Sequence, residues 1–231
     1  KNKYNLDYCP DEEILITVGV SEGLDLVLRA IINPGDKILI PQPSYVSYGP
    51  CTVLAEGVFV PVPTTVESDF KVKAADIEKR ITPRTKAILL GYPNNPTGAV
   101  MERNELTEVA EVARRHDLLV VSDEIYDRLI YGVKHTCFAS LPGIKEHTIL
   151  LGGFSKAYAM TGWRVGYAAA RPEIIAAMTK VHQYTMLCAP IVAQMAAVEA
   201  LRTGEAAVKE MVADYDRRRR VMVKGLNDIG L

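Results

Sequence analysis

Lys156 lies in the segment 153–166, between small residues and directly after an apolar run. Partial desolvation of a lysine in such a setting frees its amine for imine chemistry. Ser155 supplies a hydroxyl and Arg164 a planar fork of N–H donors, and both groups suit a phosphate monoester dianion. One lysine, one hydroxyl and one arginine at this spacing can therefore serve a single ligand.

A second polar cluster, Asp123 and Tyr126, follows the apolar run 118–122. The carboxyl ends of parallel strands are where α/β folds present ligand-binding groups. Taken alone, an acidic pair such as Asp123 and Glu124 at a strand end is more often a helix cap or a surface charge. Its position along the chain, between the other motifs, favours a place in the same site.

Two loops add further candidates. The segment 92–98 follows an apolar run, and its prolines and glycine fix a rigid loop that presents the Asn95 amide. The segment 18–23 opens a helix with small residues, and the free N–H groups of such a helix N-terminus bind phosphate. The alternatives are a plain turn for the first loop and a simple helix cap at Ser21 for the second.

These residues need a scaffold of short strands that alternate with helices. Apolar runs bounded by Gly, Pro or polar residues alternate with amphipathic stretches, which is typical of an α/β domain with a largely parallel sheet. The pattern predicts strands over residues 14–17, 37–40, 57–62, 85–90, 118–122, 148–151 and 165–169. It predicts helices over residues 21–32, 44–54, 74–80, 103–116, 172–184 and 191–202, followed by one long helix from Glu205 onward.

The composition is that of an ordinary globular protein. Of 231 residues, 48% are hydrophobic, and 27 Lys and Arg against 28 Asp and Glu give a net charge of -1. This balance gives no support to binding of nucleic acid or a membrane surface and favours a small-molecule partner. The 4 cysteines form no CxxC pair and the 4 histidines show no ligand spacing, so we expect a reduced, cytoplasmic protein without a metal site.

The segment 153–166 resembles the pyridoxal-phosphate (PLP) lysine signature of the class I and II aminotransferases. The other motifs follow in that family's order, from the segment 18–23 through the segments 41–48 and 92–98 to Asp123. The resemblance covers essentially the whole chain. It implies an α/β large domain of PLP-dependent transferase fold type I, with a mostly parallel, seven-stranded mixed sheet and helices on both faces.

The resemblance also implies a role for each candidate residue. The implied catalytic residues are Lys156, which holds the cofactor as a Schiff base, Asp123, which pairs with its pyridine nitrogen, and Tyr126, which binds its 3-oxygen. A carboxylate at that nitrogen keeps the ring protonated, and a protonated ring is the electron sink for a carbanion. The other implied cofactor ligands are Asn95 at a ring oxygen, Tyr45 stacked on the ring, and Gly19, Val20, Ser21, Ser155 and Arg164 around the phosphate.

The implied activity is transfer of an amino group from an amino acid to a 2-oxo acid, with 2-oxoglutarate as the expected acceptor. We expect residues 1–203 to form the PLP-binding large domain, and residues 204–231 to start a long helix that leads to a small domain outside this chain. Family members are generally homodimers, so a homodimer is expected. Two alternatives share the cofactor residues: a carbon–sulfur β-lyase of the same fold and a noncatalytic PLP-binding sensor domain.

Overall fold

One mixed sheet organises the protein. The computed structural model describes residues 3–230, so residues 1, 2 and 231 of the expected spans 1–203 and 204–231 lie outside the described residues. The strands are β1 (Ile14–Thr17), β2 (Lys37–Gln42), β3 (Val58–Pro63), β4 (Thr85–Gly91), β5 (Leu119–Asp123), β6 (Thr148–Gly153) and β7 (Gly166–Ala169). Their order in the sheet is β1-β7-β6-β5-β4-β2-β3. Strand β7 is antiparallel to both of its neighbours, and the other pairings are parallel.

Helices cover both faces of this sheet. They are α1 (Gly19–Ile31), α2 (Tyr48–Leu54), α3 (Ala74–Glu78), α4 (Arg103–Arg115), α5 (Pro172–Thr185), α6 (Ile191–Thr203) and α7 (Glu205–Asp228). Ile38 and Ile40 pack in the core beneath α1 and α5, whereas Leu39 between them packs in the core beneath α3 and α4. Because successive strand residues point to opposite faces, a strand covered on both sides must be apolar throughout. The predicted α/β fold, with a mostly parallel seven-stranded sheet, is confirmed.

The start of α2 differs from the prediction. The sequence pattern predicts a helix over residues 44–54, but α2 begins at Tyr48. Proline lacks the N–H that a helix interior requires, so Pro50 fits the first turn of the observed helix and would break one that began at residue 44. Residues 45–48 form a turn instead, in which the Tyr48 N–H donates to the Tyr45 carbonyl oxygen at 3.1 Å.

The start of α1 also differs, because this helix begins at Gly19 rather than at residue 21. The other predicted elements are present, with boundaries that shift by at most two residues, as is usual where helix and strand ends fray. The long helix that the pattern predicts from Glu205 is α7. Within residues 3–230, no helix combines the length and the apolar character that crossing a membrane requires.

Candidate active site

The predicted site residues meet at one edge of the sheet. A cavity of about 320 Å³ lies there, walled by the segments that follow β1, β2, β4, β5 and β6. These strands run in the same direction, so their carboxyl ends share that edge. The sequence-predicted residues that line the cavity are Val20, Ser21, Tyr45, Asn95, Asp123, Tyr126, Ser155, Lys156 and Arg164.

Gly19, the remaining predicted residue, is buried against Arg164. A Cβ atom on Gly19 would lie 2.7 Å from Arg164 Nη2, and its φ of +73° also disfavours any side chain. A Cβ atom on Gly166 would lie 2.8 Å from the Gly19 carbonyl carbon and 2.9 Å from the Val20 nitrogen. Glycine at both positions thus allows the guanidinium and strand β7 to approach the first turn of α1 closely.

The loop that leads into α1 is fixed by two hydrogen bonds. The Thr17 hydroxyl donates to the Gly19 carbonyl oxygen at 2.9 Å, and the Val18 N–H donates to the Glu22 carboxylate. The carboxylate therefore satisfies the N–H of the residue before the helix, and Ser21 lies inside α1 rather than at its N-cap. The Ser21 hydroxyl remains at the cavity wall, beside the first N–H groups of a helix, which have no intrahelical acceptor.

Asp123 presents a buried carboxyl group at the end of β5, with 6% of its surface exposed. Its Oδ2 accepts a hydrogen bond from the Tyr48 hydroxyl at 2.8 Å, and its Oδ1 accepts one from the Ile125 N–H at 3.1 Å. Burial raises the pKa of the Asp123 carboxyl to about 6, although both hydrogen bonds act in the opposite direction. A positively charged group in the cavity would restore the ionised form.

Lys156 and Tyr126 lie on facing parts of the wall. The Lys156 Nζ is 5.7 Å from the centroid of the Tyr126 ring. The turn that carries the lysine is fixed by the Thr161 hydroxyl, which donates to the Ser155 carbonyl oxygen at 2.8 Å. Arg164 Nη1 donates to the Thr161 carbonyl oxygen at 3.1 Å. The amine, the Ser155 hydroxyl and the guanidinium thus belong to one hydrogen-bonded turn.

Sequence reasoning missed two residues that hold this site. Tyr48 received no role, although it lies three residues after Tyr45, a spacing that brings two side chains together in a helical turn. The two rings pack edge to face, with centroids 5.6 Å apart. Asn94 is buried and donates to the carbonyl oxygens of Pro43, at 3.3 Å, and Gly91, at 3.2 Å. Asn94 fixes the loop that presents the exposed Asn95. Its position directly before Asn95 in the predicted loop is the feature of the sequence that could have identified it.

The donor set fits PLP. The Arg164 guanidinium lies against Gly19 at the N-terminus of α1, and Ser155 and Ser21 line the same cavity, a set of donors that suits a phosphate dianion. At another part of the wall the buried Asp123 carboxylate suits a protonated ring nitrogen. The Lys156 amine faces the same space.

Known proteins resemble this chain along its whole length. The family model for "Aminotransferase class I and II" matches residues 1–231. YugH of Bacillus subtilis (strain 168) is 50% identical over 230 residues, which cover 100% of this chain and 60% of YugH. An aspartate aminotransferase of Pyrococcus abyssi (strain GE5 / Orsay) is 43% identical over 234 residues, with the same two coverages.

A solved structure agrees. An aromatic aminotransferase from Pyrococcus horikoshii OT3 superposes with a TM-score of 0.96 at 41% identity, covering 100% of this chain and 63% of that one. The chain spans about 60% of the length of the curated relatives it matches. It belongs to the class I and II aminotransferase family, whose members are PLP-dependent.

Proposed function

We propose that this chain is the cofactor-binding part of a PLP-dependent aminotransferase, which moves an amino group from an amino acid to a 2-oxo acid. The observation that carries the proposal is a buried carboxylate, Asp123, that shares one cavity with Lys156 and Arg164. We propose 2-oxoglutarate as the acceptor. We further propose that residues 1–203 form the large domain and that residues 204–231 lead into a second, small domain.

The proposed cofactor contacts divide the cavity wall by chemistry. Lys156 binds the cofactor covalently through its amine, as a Schiff base. Tyr45, which is half-buried at the cavity wall, would stack on the cofactor ring and exclude water from it. The Asn95 amide and the Tyr126 hydroxyl donate to the ring oxygen. The phosphate is bound by Arg164, by the hydroxyls of Ser155 and Ser21, and by the N–H groups of Gly19, Val20 and Ser21.

The chain's own residues would control the positions of two protons. When bound, PLP supplies an electron sink that allows a proton to leave the Cα atom of an amino acid. An ionised Asp123 would hold a proton on the ring nitrogen. The Lys156 amine would accept the Cα proton as a general base and would later donate it again. Tyr126, whose ring centroid lies 5.7 Å from the Lys156 Nζ, would donate a hydrogen bond to the ring oxygen.

The cofactor site can be tested by absorbance. Full-length protein with added PLP should show a visible imine band that borohydride removes, and mass mapping should find the reduced adduct on Lys156. Lys156→Ala should abolish turnover and the adduct, whereas Lys180→Ala, at an exposed lysine of α5, should keep both. Near-normal turnover of Lys156→Ala contradicts the assignment.

The reaction type needs a separate assay. Names of relatives point to aspartate and aromatic amino acids as donors to try first, since the Pyrococcus abyssi relative is an aspartate aminotransferase and the Thermococcus litoralis relative an aromatic-amino-acid aminotransferase. Glutamate should form from 2-oxoglutarate only when a donor is present. Release of ammonia and pyruvate without any acceptor acid would identify a β-lyase instead.

We also propose a homodimer in a reducing, cytoplasmic setting. Exposed apolar side chains cluster between the end of α5 and the start of α6, where Tyr184 is 90% and Leu187 72% exposed, and such patches favour association. Cys9, Cys51, Cys137 and Cys188 are all free thiols, which suits a reducing compartment. Sedimentation of the full-length protein tests the dimer.

A further inference from the structure

A buried carboxylate–imidazole pair joins the first turn of α1 to the last turn of α5. Glu22 Oε1 and His182 Nδ1 are 2.7 Å apart, and their side chains are only 10% and 6% exposed. A carboxylate can only accept a hydrogen bond, so this contact requires a proton on Nδ1 of His182. The two residues are 160 positions apart in sequence, so the contact exists only through the packing of the two helices.

The second carboxylate oxygen of Glu22 acts on the phosphate-binding loop. Glu22 Oε2 accepts the N–H of Val18, the residue directly before Gly19. Glu22 itself does not line the cavity, whereas its neighbour Ser21 does. The carboxylate therefore lies behind the loop, with one oxygen on the loop backbone and the other on His182.

This placement keeps the Glu22 carboxylate apart from a phosphate dianion bound at the N-terminus of α1. An acidic side chain in the first turn stabilises a helix N-terminus, but a phosphate dianion binds at the same positive end of the helix. A carboxylate that swung into the cavity would compete with the phosphate and repel it. The buried donor on His182 holds the carboxylate on the far side, because a buried carboxylate oxygen without a donor is costly.

We infer that Glu22 and His182 form a positioning pair that turns residues 18–21 toward a phosphate dianion and keeps the Glu22 carboxylate away from it. The inference rests on the proposed function, since it takes the phosphate of PLP as the ligand. Neither residue touches that ligand. The pair acts through the Val18 N–H and through the direction of the Glu22 carboxylate.

The chain contains a matched control in a second buried pair. His135 Nε2 lies 2.6 Å from Glu124 Oε2, and these side chains are 7% and 4% exposed. Glu124 also accepts the Phe138 N–H at 2.8 Å, so this pair braces the segment after β5 and not the loop before α1. Removing either histidine deletes the same chemistry from an equally buried place, but only one deletion touches the proposed phosphate loop.

The test compares the dissociation constants of PLP and of pyridoxal, which lacks the phosphate, on the full-length protein. His182→Leu should weaken PLP binding by about tenfold and pyridoxal binding little, because only the dianion feels the displaced carboxylate. His182→Asn should restore most of the preference for PLP, since an amide N–H can donate from near the Nδ1 position. His135→Leu should leave the ratio of the two constants as in the wild type.

An unchanged ratio of the PLP and pyridoxal dissociation constants in His182→Leu overturns the inference. An equal change of that ratio in His135→Leu overturns it as well. If His182→Leu does not fold, ¹⁵N NMR of the wild-type imidazole rings decides: inorganic phosphate should shift the His182 signals and leave those of His135 in place. No shift at His182 overturns the inference. A wild-type protein that binds PLP no better than pyridoxal overturns the proposed cofactor site itself, so the two failures are distinguishable.

Discussion

The Tyr48 hydroxyl donates a hydrogen bond to Asp123 Oδ2 at 2.8 Å, and both residues are buried. Tyr48 opens α2 and Asp123 ends β5, so the bond joins two separate segments of the cavity wall. Burial raises the pKa of the Tyr48 phenol well above its ordinary value, so that the hydroxyl stays protonated and remains a donor. A permanent donor favours the carboxylate form of Asp123.

Tyr48→Phe should therefore raise the pKa of the Asp123 carboxyl above about 6 in the cofactor-free protein. The expected displacement is roughly one pH unit, the equivalent of one hydrogen bond to a charged acceptor. Carboxyl ¹³C NMR against pH measures it. Tyr92→Phe is the control, because this buried hydroxyl donates to the Phe70 carbonyl oxygen at 2.9 Å and not to Asp123. An unmoved titration in Tyr48→Phe would contradict the role of the bond.

Gly91→Ala should reproduce that change while both Tyr48 and Asp123 are kept. A Cβ atom at this last residue of β4 would collide with the Tyr48 hydroxyl and lie 2.9 Å from its Cε2 atom, so the ring must turn away from Asp123. We expect a higher pKa of Asp123 and a loss of about 1–3 kcal/mol in the free energy of unfolding. Gly225→Ala in α7 is the control: a Cβ there meets nothing within 4 Å, and alanine should stabilise the helix slightly. Equal urea midpoints for the two variants would refute the prediction.

Much of the fold could be predicted from the sequence because each strand is a short apolar run between turn residues. The meeting of Asp123, Lys156 and Asn95 at one cavity also follows from sequence, since each lies at the carboxyl end of a strand or a few residues beyond it, and parallel strands end at a common edge. The hydrogen bonds Tyr48–Asp123 and Glu22–His182 do not follow from sequence. The first joins residues 75 positions apart and the second residues 160 positions apart, and only packing brings them together.

Gly166→Ala should weaken PLP binding through the backbone. Its Cβ atom would meet the Gly19 carbonyl carbon and the Val20 nitrogen at 2.8 and 2.9 Å, and backbone atoms cannot rotate away as a side chain can. Residues 18–21 must therefore shift. We expect roughly tenfold weaker binding of PLP and a loss of about 2 kcal/mol in the free energy of unfolding. Gly162→Ala is the matched control, since a Cβ at that position meets nothing within 4 Å. PLP titration and urea denaturation of both variants measure the two effects, and wild-type affinity in Gly166→Ala would count against the close approach.

Asp123→Asn should make the cofactor-free protein more stable at alkaline pH. Burial raises the pKa of this carboxyl from 3.8 to about 6 in the folded state, so the folded protein binds the proton more tightly than the unfolded chain does. The stabilising contribution is therefore fully present below about pH 3.8 and is lost as the pH rises through about 6. The full loss is about 3 kcal/mol, with roughly half of it above pH 5.

Urea denaturation at pH 5 and pH 8 should show the free energy of unfolding of Asp123→Asn rising relative to that of the wild type by about 1.5 kcal/mol over that interval. Added PLP should cancel the gain, since a positive ring nitrogen lowers the pKa of the carboxyl. A pH-independent difference between the two proteins would mean that the Asp123 carboxyl does not titrate in this range.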